Sequence, residues 1–311
     1  MTLHPNALGV DIAMQFLDVF CPRSARHWRI ANTPGTIDQL IARHADAFFV
    51  FEATSGCDDE LRLRLTQAGV PFARVNPRRA REFARAAGFL AKTDRVDARV
   101  LAEMGRRLEI EPTVEASPAR RELSELVGRR DQLVEEIVRE KNRLRQVRCR
   151  CVQRDIKDHI RTLERRRDKL EAAIAAHVEA HRELAETAAH LRQIPGVGPT
   201  VAATILAELP ELGGRDRRAI AALAGLAPLA NDSGRHTGKR RIWGGRRKVR
   251  RVLFIAAMHA SRRCPHWIGM RRRMAEAGKA TKTILVAIAR KLLIAMNAML
   301  RDGTPYAPAG A

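Results

Sequence analysis

Short apolar runs alternate with helical patterns through the first third of the chain. Val, Ile, Leu and Phe cluster in runs typical of buried strands, and Pro or Gly marks the ends of several segments between them. The apolar runs predict strands at residues 7–13, 16–21, 27–32, 47–54 and 70–76. The intervening and following segments predict helices at residues 33–45, 58–69, 77–88 and 93–108.

Three closely spaced strands followed by alternating helices and strands predict an α/β domain. This order of elements is also that of the RNase H-like fold, in which the first and fourth strands lie side by side. We therefore expect residues 1–112 to form an RNase H-like domain. In such a sheet the strand that contains Asp11 would lie next to the strand that ends at Glu52.

The pattern changes after Pro118. From there to about residue 192 the chain is charged, nearly free of Gly and Pro, and carries Leu, Val and Ile at a coiled-coil-like spacing. We expect an α-helical coiled-coil hairpin over residues 113–192, with one helix ending near Val152 and the next beginning near Ile156. Its role is open between a solvated spacer and an interface between subunits.

Residues 193–311 predict a mainly α-helical C-terminal domain. The segment IPGVGPT, residues 194–200, resembles the turn of a helix-hairpin-helix element. In that interpretation Gly196 and Gly198 let backbone N–H groups approach a phosphate. The alternative is an ordinary turn between two helices.

Net charge narrows the class of partner. The sequence has 57 Lys and Arg against 35 Asp and Glu, a net charge of +22, and an isoelectric point of about 11.2. Such a surplus predicts a polyanionic partner, with nucleic acid as the first choice and an anionic membrane as the competitor. Lys282, Arg290 and Lys291 interrupt the most apolar helical segment, residues 280–300, so we expect a buried core helix there.

The N-terminal residues and the cysteines lead to two further expectations. The N-terminal residues show no basic region followed by an apolar stretch, so a secretory signal is not expected. The five cysteines form no C-x-x-C pair, which argues against a structural zinc site or a disulfide framework. We expect a bacterial cytoplasmic protein that binds nucleic acid and no membrane.

Four acidic residues stand out in this basic chain. Asp11 lies inside an apolar strand, Glu52 ends another, and Asp94 and Asp97 are three residues apart on a predicted helix and share its face. Acids are common at helix starts, so the last two alone would indicate little. Four gathered carboxylates would repel one another and raise each other's pKa. Two Mg²⁺ ions about 4 Å apart would relieve that repulsion and suit in-line phosphoryl transfer.

Other acids near these positions are weaker alternatives for the metal site. Asp18 lies on the second predicted strand, but no partner for it follows from the pattern. Asp58, Asp59 and Glu60 resemble a helix N-terminus, where acids are expected in any case.

Ser233 lies on a polar turn that begins a strongly basic stretch. As a nucleophile it would need activation, and the arginines around it would stabilise the charge of a phosphodiester attack. The alternative is a phosphate-binding loop in which Ser233 only caps a turn, and the residues alone leave both open. The residues expected to contact nucleic acid are Lys92, Gly196, Gly198, Arg235, Lys239, Arg240, Arg241, Arg246, Arg247, Lys248 and Arg251.

Several segments, in this order, resemble the DEDD transposases of the IS110 insertion-sequence family, which are related to the Piv DNA invertases. The resemblance covers about residues 7 to 300 and is specific in combination, although no single segment is. The segments are GVDIA, FLDVF, FEATSG, KTDRVDA, IPGVGPTVAATILAEL, LAGLAPLANDSGRHTGKRRI and GGRRKVRRVLFIAA.

The resemblance implies a RuvC-like N-terminal domain, a coiled-coil middle that helps to assemble homodimers and homotetramers, and a C-terminal transposase domain. It implies a DEDD tetrad on Asp11, Glu52, Asp94 and Asp97, and a catalytic serine on Ser233. Family members of this kind are recombinases guided by a structured bridge RNA that pairs with donor and target DNA. In their mechanism the serine forms a covalent protein–DNA intermediate, and the metal site of a partner subunit completes the active centre.

Two other functions fit the residues without the resemblance. A metal-dependent junction nuclease would use only the four acids and water, and Ser233 would be dispensable. A non-catalytic nucleic-acid-binding remnant would need neither Ser233 nor the acids. A tyrosine recombinase is disfavoured because the only tyrosine, Tyr306, lies in a Pro-rich tail.

Overall fold

The computed structural model describes residues 3–54, 56–91, 93–230, 232, 238 and 240–307. The chain forms two compact units, Met1–Glu115 and Ala116–Ala311. The first boundary lies close to the predicted one at residue 112. The boundary predicted at residue 192 corresponds to no division between these units, because helices on both sides of it contribute to one apolar core.

The N-terminal unit is a mixed α/β fold whose elements follow the predicted order. They are β1 (Ala7–Ile12), β2 (Phe16–Cys21), β3 (Arg26–Ala31), α1 (Pro34–Arg43), β4 (Phe48–Glu52), α2 (Asp59–Gln67), β5 (Phe72–Val75), α3 (Pro77–Ala86) and α4 (Asp94–Arg107). The strand order is β3-β2-β1-β4-β5, with β1 parallel to β4 and antiparallel to β2. The expectation that the first and fourth strands are neighbours is confirmed.

The two faces of this sheet bury different helices, because successive side chains of a strand point to opposite sides. Leu8 and Phe49 lie in one core with Ile37 of α1 and Leu61 of α2. The opposite face is covered by α4. The buried residues of that second core include Ala7, Phe48, Val50, Leu101 and Met104.

The C-terminal unit is mainly helical, as predicted. Its elements are α5 (Pro118–Gln146), α6 (Arg150–Ala180), α7 (Arg182–Arg192), α8 (Pro199–Glu208), α9 (Arg217–Leu223), β6 (Pro228–Leu229), β7 (Arg241–Ile242), α10 (Arg247–Arg263), α11 (Pro265–Glu276) and α12 (Thr281–Asp302). β6 and β7 pair as a small antiparallel ribbon. The large core of the unit joins residues of α8, α10 and α12 to the base of α5 and α6.

Two long helices, α5 and α6, pack against each other as a hairpin. The turn between them lies at residues 147–149, several residues before the predicted break near Val152. Gln153 Nε2 donates a hydrogen bond of 2.7 Å to the Val147 carbonyl oxygen and closes this turn. No Gly or Pro marks the turn in the sequence, which explains the misplaced boundary. A coiled-coil supercoil stays a prediction.

Helix α12 is long and apolar enough to cross a membrane by length and composition alone. In the structure one side of it is buried in the large core of the C-terminal unit, through residues that include Ile288, Leu292, Leu293 and Met296. The prediction of a core helix over residues 280–300 is therefore confirmed.

Candidate active site

A polar row runs across the sheet of the N-terminal unit on the face that α4 covers. Asp11 lies opposite Asp18 in the β1–β2 pair, and Asp18 lies opposite Arg29 in the β2–β3 pair. Residues directly opposite in antiparallel strands point to the same face. Glu52 is the residue after the last registered pair of β1 and β4, which puts it beside Asp11 at the end of the parallel strands.

Helix α4 approaches β1 closely because two glycines leave room for its backbone. A Cβ atom on Gly9 would lie 2.0 Å from the Ala98 carbonyl oxygen and 2.5 Å from the Ala102 nitrogen. A Cβ atom on Gly105 would lie 2.6 Å from Ala7 Cβ. These close contacts fix how far α4 can slide along the strand, and therefore where its first turn lies relative to Asp11.

The first turn of α4 carries Asp94 and Asp97. Thr93 is the N-cap residue, and its Oγ1 accepts a hydrogen bond of 3.3 Å from the Val96 amide. The positive end of the helix dipole favours carboxylates in this turn. The cap and the dipole together account for a stable helix start that presents two acids.

Burial and neighbouring carboxylates raise the pKa of Asp11 from 3.8 to about 6. Burial is the largest cause, followed by the negative charges of Asp97, Asp94 and Asp18. The structure therefore brings three of the four predicted acids within electrostatic reach of one another, and strand pairing brings Glu52 alongside. All four offer the carboxylate oxygens that a hard divalent cation prefers.

The side chains are not in coordination geometry. Among the residues that the structure describes, no three His, Cys, Asp or Glu side chains form a group that could hold a metal ion. The donor chemistry and the converging backbone positions fit a divalent metal, and the assignment of its ligands to the four acids stays a prediction.

Asp18, which is only 3% exposed, has partners that the sequence pattern did not predict. Asp18 Oδ2 accepts hydrogen bonds from Arg29 Nε at 3.0 Å and Nη2 at 2.7 Å, and His27 Nε2 lies 2.9 Å from Asp18 Oδ1. Arg29 Nη2 also donates to Asp94 Oδ2 at 2.8 Å. The sequence does contain a sign of these partners. His27 and Arg29 are two residues apart on the next strand, so both side chains lie on one face of it.

The alternative acids at the start of α2 have other roles. Asp58 is fully buried, and its carboxylate pairs with the guanidinium of Arg74 on β5. Asp59 and Glu60 lie in the first turn of α2 and pair with Arg62 and Arg64 of the same helix. Only the last two behave as the ordinary helix-start acids that the sequence indicated.

Those predicted nucleic-acid contacts in the C-terminal unit that are basic and lie among the described residues fall into two sets. The paired trio has acidic partners in the same unit, and its members are Arg246 with Glu211, Lys248 with Glu208, and Arg251 with Asp131 and Glu135. The exposed trio consists of Arg240, Arg241 and Arg247. Within the described parts of the chain, no ion pair joins the exposed trio to a carboxylate, so its guanidinium groups are the more available to phosphate.

The two turn glycines at the predicted helix-hairpin-helix differ in their surroundings. Gly196 has φ +90°, and a Cβ atom there would lie 2.5 Å from the Ala256 carbonyl oxygen of α10. Gly198 is the N-cap residue of α8, and nothing lies within 4 Å of a Cβ atom placed on it. Packing against α10 is thus enough to explain why glycine is needed at position 196. At Gly198 the space around the backbone is open.

Two family profiles match the chain. The DEDD transposase profile of the IS110 family matches residues 8–148, and a transposase profile of the IS116/IS110/IS902 family matches residues 188–272. The first match includes Asp11, Glu52, Asp94 and Asp97, the acids that the fold gathers. The chain belongs to the IS110 family of DEDD transposases.

Relatives of this IS110-family transposase include proteins that invert DNA. The pilin gene-inverting protein of Moraxella lacunata is 26% identical over 313 residues, which cover 96% of this chain and 97% of the relative. The pilin gene-inverting protein of Moraxella bovis is 28% identical and covers 75% of this chain and 73% of the relative. A protein of insertion element IS110 from Streptomyces coelicolor is 34% identical over 142 residues, or 45% of this chain and 34% of that protein.

Membership in the IS110 family makes the protein an enzyme, a DNA transposase or recombinase, whose substrate is DNA. The DEDD domain also implies dependence on a divalent metal. Four residues of this transposase that the sequence assigned to chemistry or binding lie outside the described residues, namely Ser233, Lys92, Arg235 and Lys239. Their assignments stay predictions.

Proposed function

We propose that this transposase is an RNA-guided recombinase that combines a Mg²⁺ site in its N-terminal unit with a serine nucleophile in its C-terminal unit. The observation that supports the metal site best is the placement of Asp11 and Glu52 on adjacent strands near the first turn of α4, where burial and the charges of Asp97, Asp94 and Asp18 raise the pKa of Asp11 to about 6. A fold that gathers carboxylates against their own repulsion is expected where a cation or a phosphate acts.

Two Mg²⁺ ions would be held by the four acids of the N-terminal unit, Asp11, Glu52, Asp94 and Asp97. Bound Mg²⁺ would supply stabilisation of the charge that develops on phosphate oxygens. The protein's own part is positional. β1 and β4 hold Asp11 and Glu52 on adjacent strands, and the capped first turn of α4 holds the other two acids above them.

Ser233 is the proposed nucleophile. Its Oγ would form a bond to the phosphorus of a DNA phosphodiester while the bond from phosphorus to a deoxyribose oxygen breaks. The serine proton leaves to solvent or a base, and the departing deoxyribose oxygen takes up a proton to become a hydroxyl. The product is a covalent phosphoserine link between protein and DNA, which conserves the bond energy for strand exchange.

Guidance by RNA and assembly into homodimers or homotetramers belong to the same proposal. The net charge of +22 suits a protein that holds two kinds of nucleic acid. The exposed trio offers guanidinium groups to phosphate. The pilin gene-inverting relatives, named for a DNA inversion, support a rearrangement of DNA rather than simple cleavage.

A covalent-adduct assay tests this function. Wild-type protein is incubated with Mg²⁺, RNA transcribed from the region flanking its gene, and end-labelled element DNA, and the products are separated on a denaturing gel. We expect a labelled protein band that is lost in Ser233→Ala, in Asp97→Ala and when EDTA replaces Mg²⁺. Ser24→Ala, which removes an exposed serine hydroxyl elsewhere, is the matched control and should keep the band.

The other outcomes separate the competing functions. Cleavage without an adduct, equal in wild type and Ser233→Ala, would replace the serine mechanism with a metal-dependent nuclease. Omitting the RNA tests guidance separately, because an adduct of equal yield without RNA would reject the guide. Binding with neither cleavage nor adduct would identify a non-catalytic nucleic-acid-binding protein.

A further inference from the structure

Asp18 is a buried acid that the proposed chemistry does not use. It lies directly across from Asp11 in the β1–β2 pair, so it occupies the same face of the sheet as the proposed metal ligands. A buried carboxylate is costly unless it is paired and hydrogen-bonded. Here Arg29 donates two hydrogen bonds to it, and His27 Nε2 lies 2.9 Å away.

Arg29 is held in place from two sides. Its Nε and Nη2 both contact Asp18 Oδ2, at 3.0 Å and 2.7 Å. Its guanidinium carbon lies 5.4 Å from the centre of the Phe16 ring, within the range of a cation–π contact. A side chain fixed by a buried anion and an aromatic ring loses little further freedom when it binds a third group.

That third group is Asp94. Arg29 Nη2 donates to Asp94 Oδ2 at 2.8 Å, and this contact uses one of the two carboxylate oxygens. The Asp94 side chain is 61% exposed, so few neighbours would otherwise restrict its rotation. Because Arg29 is held by the buried Asp18, its hydrogen bond to Asp94 restricts the rotation of an exposed carboxylate on the first turn of α4.

We infer that Arg29 is a positioning residue of the metal site, anchored by Asp18, which sets the orientation of Asp94. The inference rests on the proposed assignment of Asp94 as a metal ligand. Arg29 hydrogen-bonds one oxygen and leaves the other to a cation, and its positive charge offsets part of the repulsion among the gathered carboxylates. Partners that orient a metal ligand in this way commonly alter metal affinity or activity about 10- to 100-fold when they are removed.

The test measures how Mg²⁺ concentration controls DNA cleavage by the full chain. Arg29→Gln should raise the half-saturating Mg²⁺ concentration about 10-fold and lower the rate at saturating Mg²⁺ by a smaller factor. Asp18→Asn, which weakens the anchor and also removes a charge that acts on Asp11, should shift it in the same direction. Arg23→Gln is the matched control, because Arg23 pairs with Asp46 on the surface and should change neither quantity.

Two results would overturn the inference. One is an unchanged half-saturating Mg²⁺ concentration in Arg29→Gln. The other is a lower concentration, which would mean that Arg29 competes with Mg²⁺ for Asp94. If Arg29→Gln unfolds at a lower temperature, Arg29→Lys decides instead, because Lys keeps a charge beside Asp18 but cannot reproduce the fork of contacts. We expect Arg29→Lys to fold and still to require more Mg²⁺, and a wild-type requirement would refute the role.

The same experiment separates this inference from the proposed function. Wild-type cleavage that ignores EDTA, or that persists in Asp97→Ala, would remove the metal site and Arg29's role with it. Cleavage that requires Mg²⁺ and Asp97 but is unaffected by Arg29→Gln would leave the metal site standing and remove only the role of Arg29.

Discussion

A methyl group on Gly9 would lie 2.0 Å from the carbonyl oxygen of Ala98. No real carbon and oxygen approach so closely without a bond, so β1 and α4 can approach this closely at Ala98 only because position 9 lacks a side chain. Asp11 is two residues further along β1, and Asp97 directly precedes Ala98 on α4. The strand–helix contact that excludes a methyl group therefore also sets the spacing of the proposed metal ligands.

Gly9→Ala is expected to separate α4 from β1 and to destabilise the N-terminal unit. The clash is with backbone atoms, which cannot rotate away, so we expect a loss of about 3 kcal/mol in the free energy of unfolding. Thermal or urea unfolding measures it. Gly35→Ala is the control, since nothing lies within 4 Å of a Cβ atom there, and in helix α1 it should be at least as stable as the wild type. Equal stability of the two variants would contradict the close approach.

Asp11→Asn is expected to stabilise the metal-free protein at neutral pH. The pKa of Asp11 is about 6 in the folded state against an ordinary 3.8, so the folded state binds more protons between these values. The free energy of unfolding of the wild type therefore falls as pH rises from about 4 to about 6. Because water reaches part of this carboxylate, we expect the variant to gain only about 1 kcal/mol at neutral pH.

The measurement is the unfolding temperature of both proteins in EDTA as a function of pH. The difference should vanish below about pH 3, where the wild-type carboxyl is largely protonated in both states. Adding Mg²⁺ at neutral pH should raise the unfolding temperature of the wild type more than that of Asp11→Asn. A difference that does not depend on pH would show that the substitution acts through packing instead.

The two glycines of the IPGVGPT turn should respond differently to the same substitution. Gly196→Ala places a methyl group against α10 at φ +90°, so we expect it to destabilise the C-terminal unit by about 2 kcal/mol or more. Gly198→Ala meets open space but puts a poor N-cap residue at the start of α8, so it should cost no more than about 1 kcal/mol. A phosphate role at this turn predicts that Gly198→Ala nevertheless weakens DNA binding. Full DNA affinity in that variant would restrict the turn to a structural role.

The exposed trio and the paired trio should differ in how they affect binding to DNA. Replacing all three arginines of the exposed trio by Gln should flatten the slope of log K against log salt by about 2 to 3, if each contacts one phosphate. Replacing all three residues of the paired trio by Gln removes the same number of positive charges. We expect it to change the slope less and the stability more, because the buried Asp131 loses Arg251 as a partner.

Salt titrations of DNA binding with both triple variants make this comparison. The wild type serves as the reference for the slope, and thermal unfolding of each variant checks the fold. An equal change of slope in the two triple variants would show that phosphate displaces Glu208, Glu211 and Asp131 from their basic partners.

The architecture of the N-terminal unit was predictable because its central strands, β1 and β4, are buried on both faces. Such strands appear as continuous apolar runs, and the polar residues that interrupt them, Asp11 and Glu52, are conspicuous. The order of helices and strands then leaves few sheet topologies, and the one expected places β1 beside β4. Asp94 and Asp97 followed from the helix predicted over residues 93–108, in which a spacing of three residues places both on one face.

The contacts between side chains were not predictable in the same way. Asp18 finds Arg29 only through the register of β2 on β3, and Arg246 finds Glu211 across 35 residues of sequence. From the sequence, a stretch of positive charges predicts a uniformly basic surface. In the folded chain some of these residues form ion pairs with carboxylates that are distant in the sequence. The sequence offered a phosphate-binding role for Gly196. The close contact that requires glycine there is with the backbone of α10, which is distant in the chain and therefore not visible in the local sequence.

The hairpin of α5 and α6 has two separate apolar clusters along its length. Leu123 and Ile174 belong to the large core of the C-terminal unit. The described residues of the outer cluster, among them Leu133, Ile137 and Ile160, come from the two helices and the turn that joins them. Opening this outer cluster therefore breaks no contact of the large core, and amide protons there should exchange at a lower free-energy cost. We therefore expect the far half of the hairpin to open and close independently of the rest of the unit.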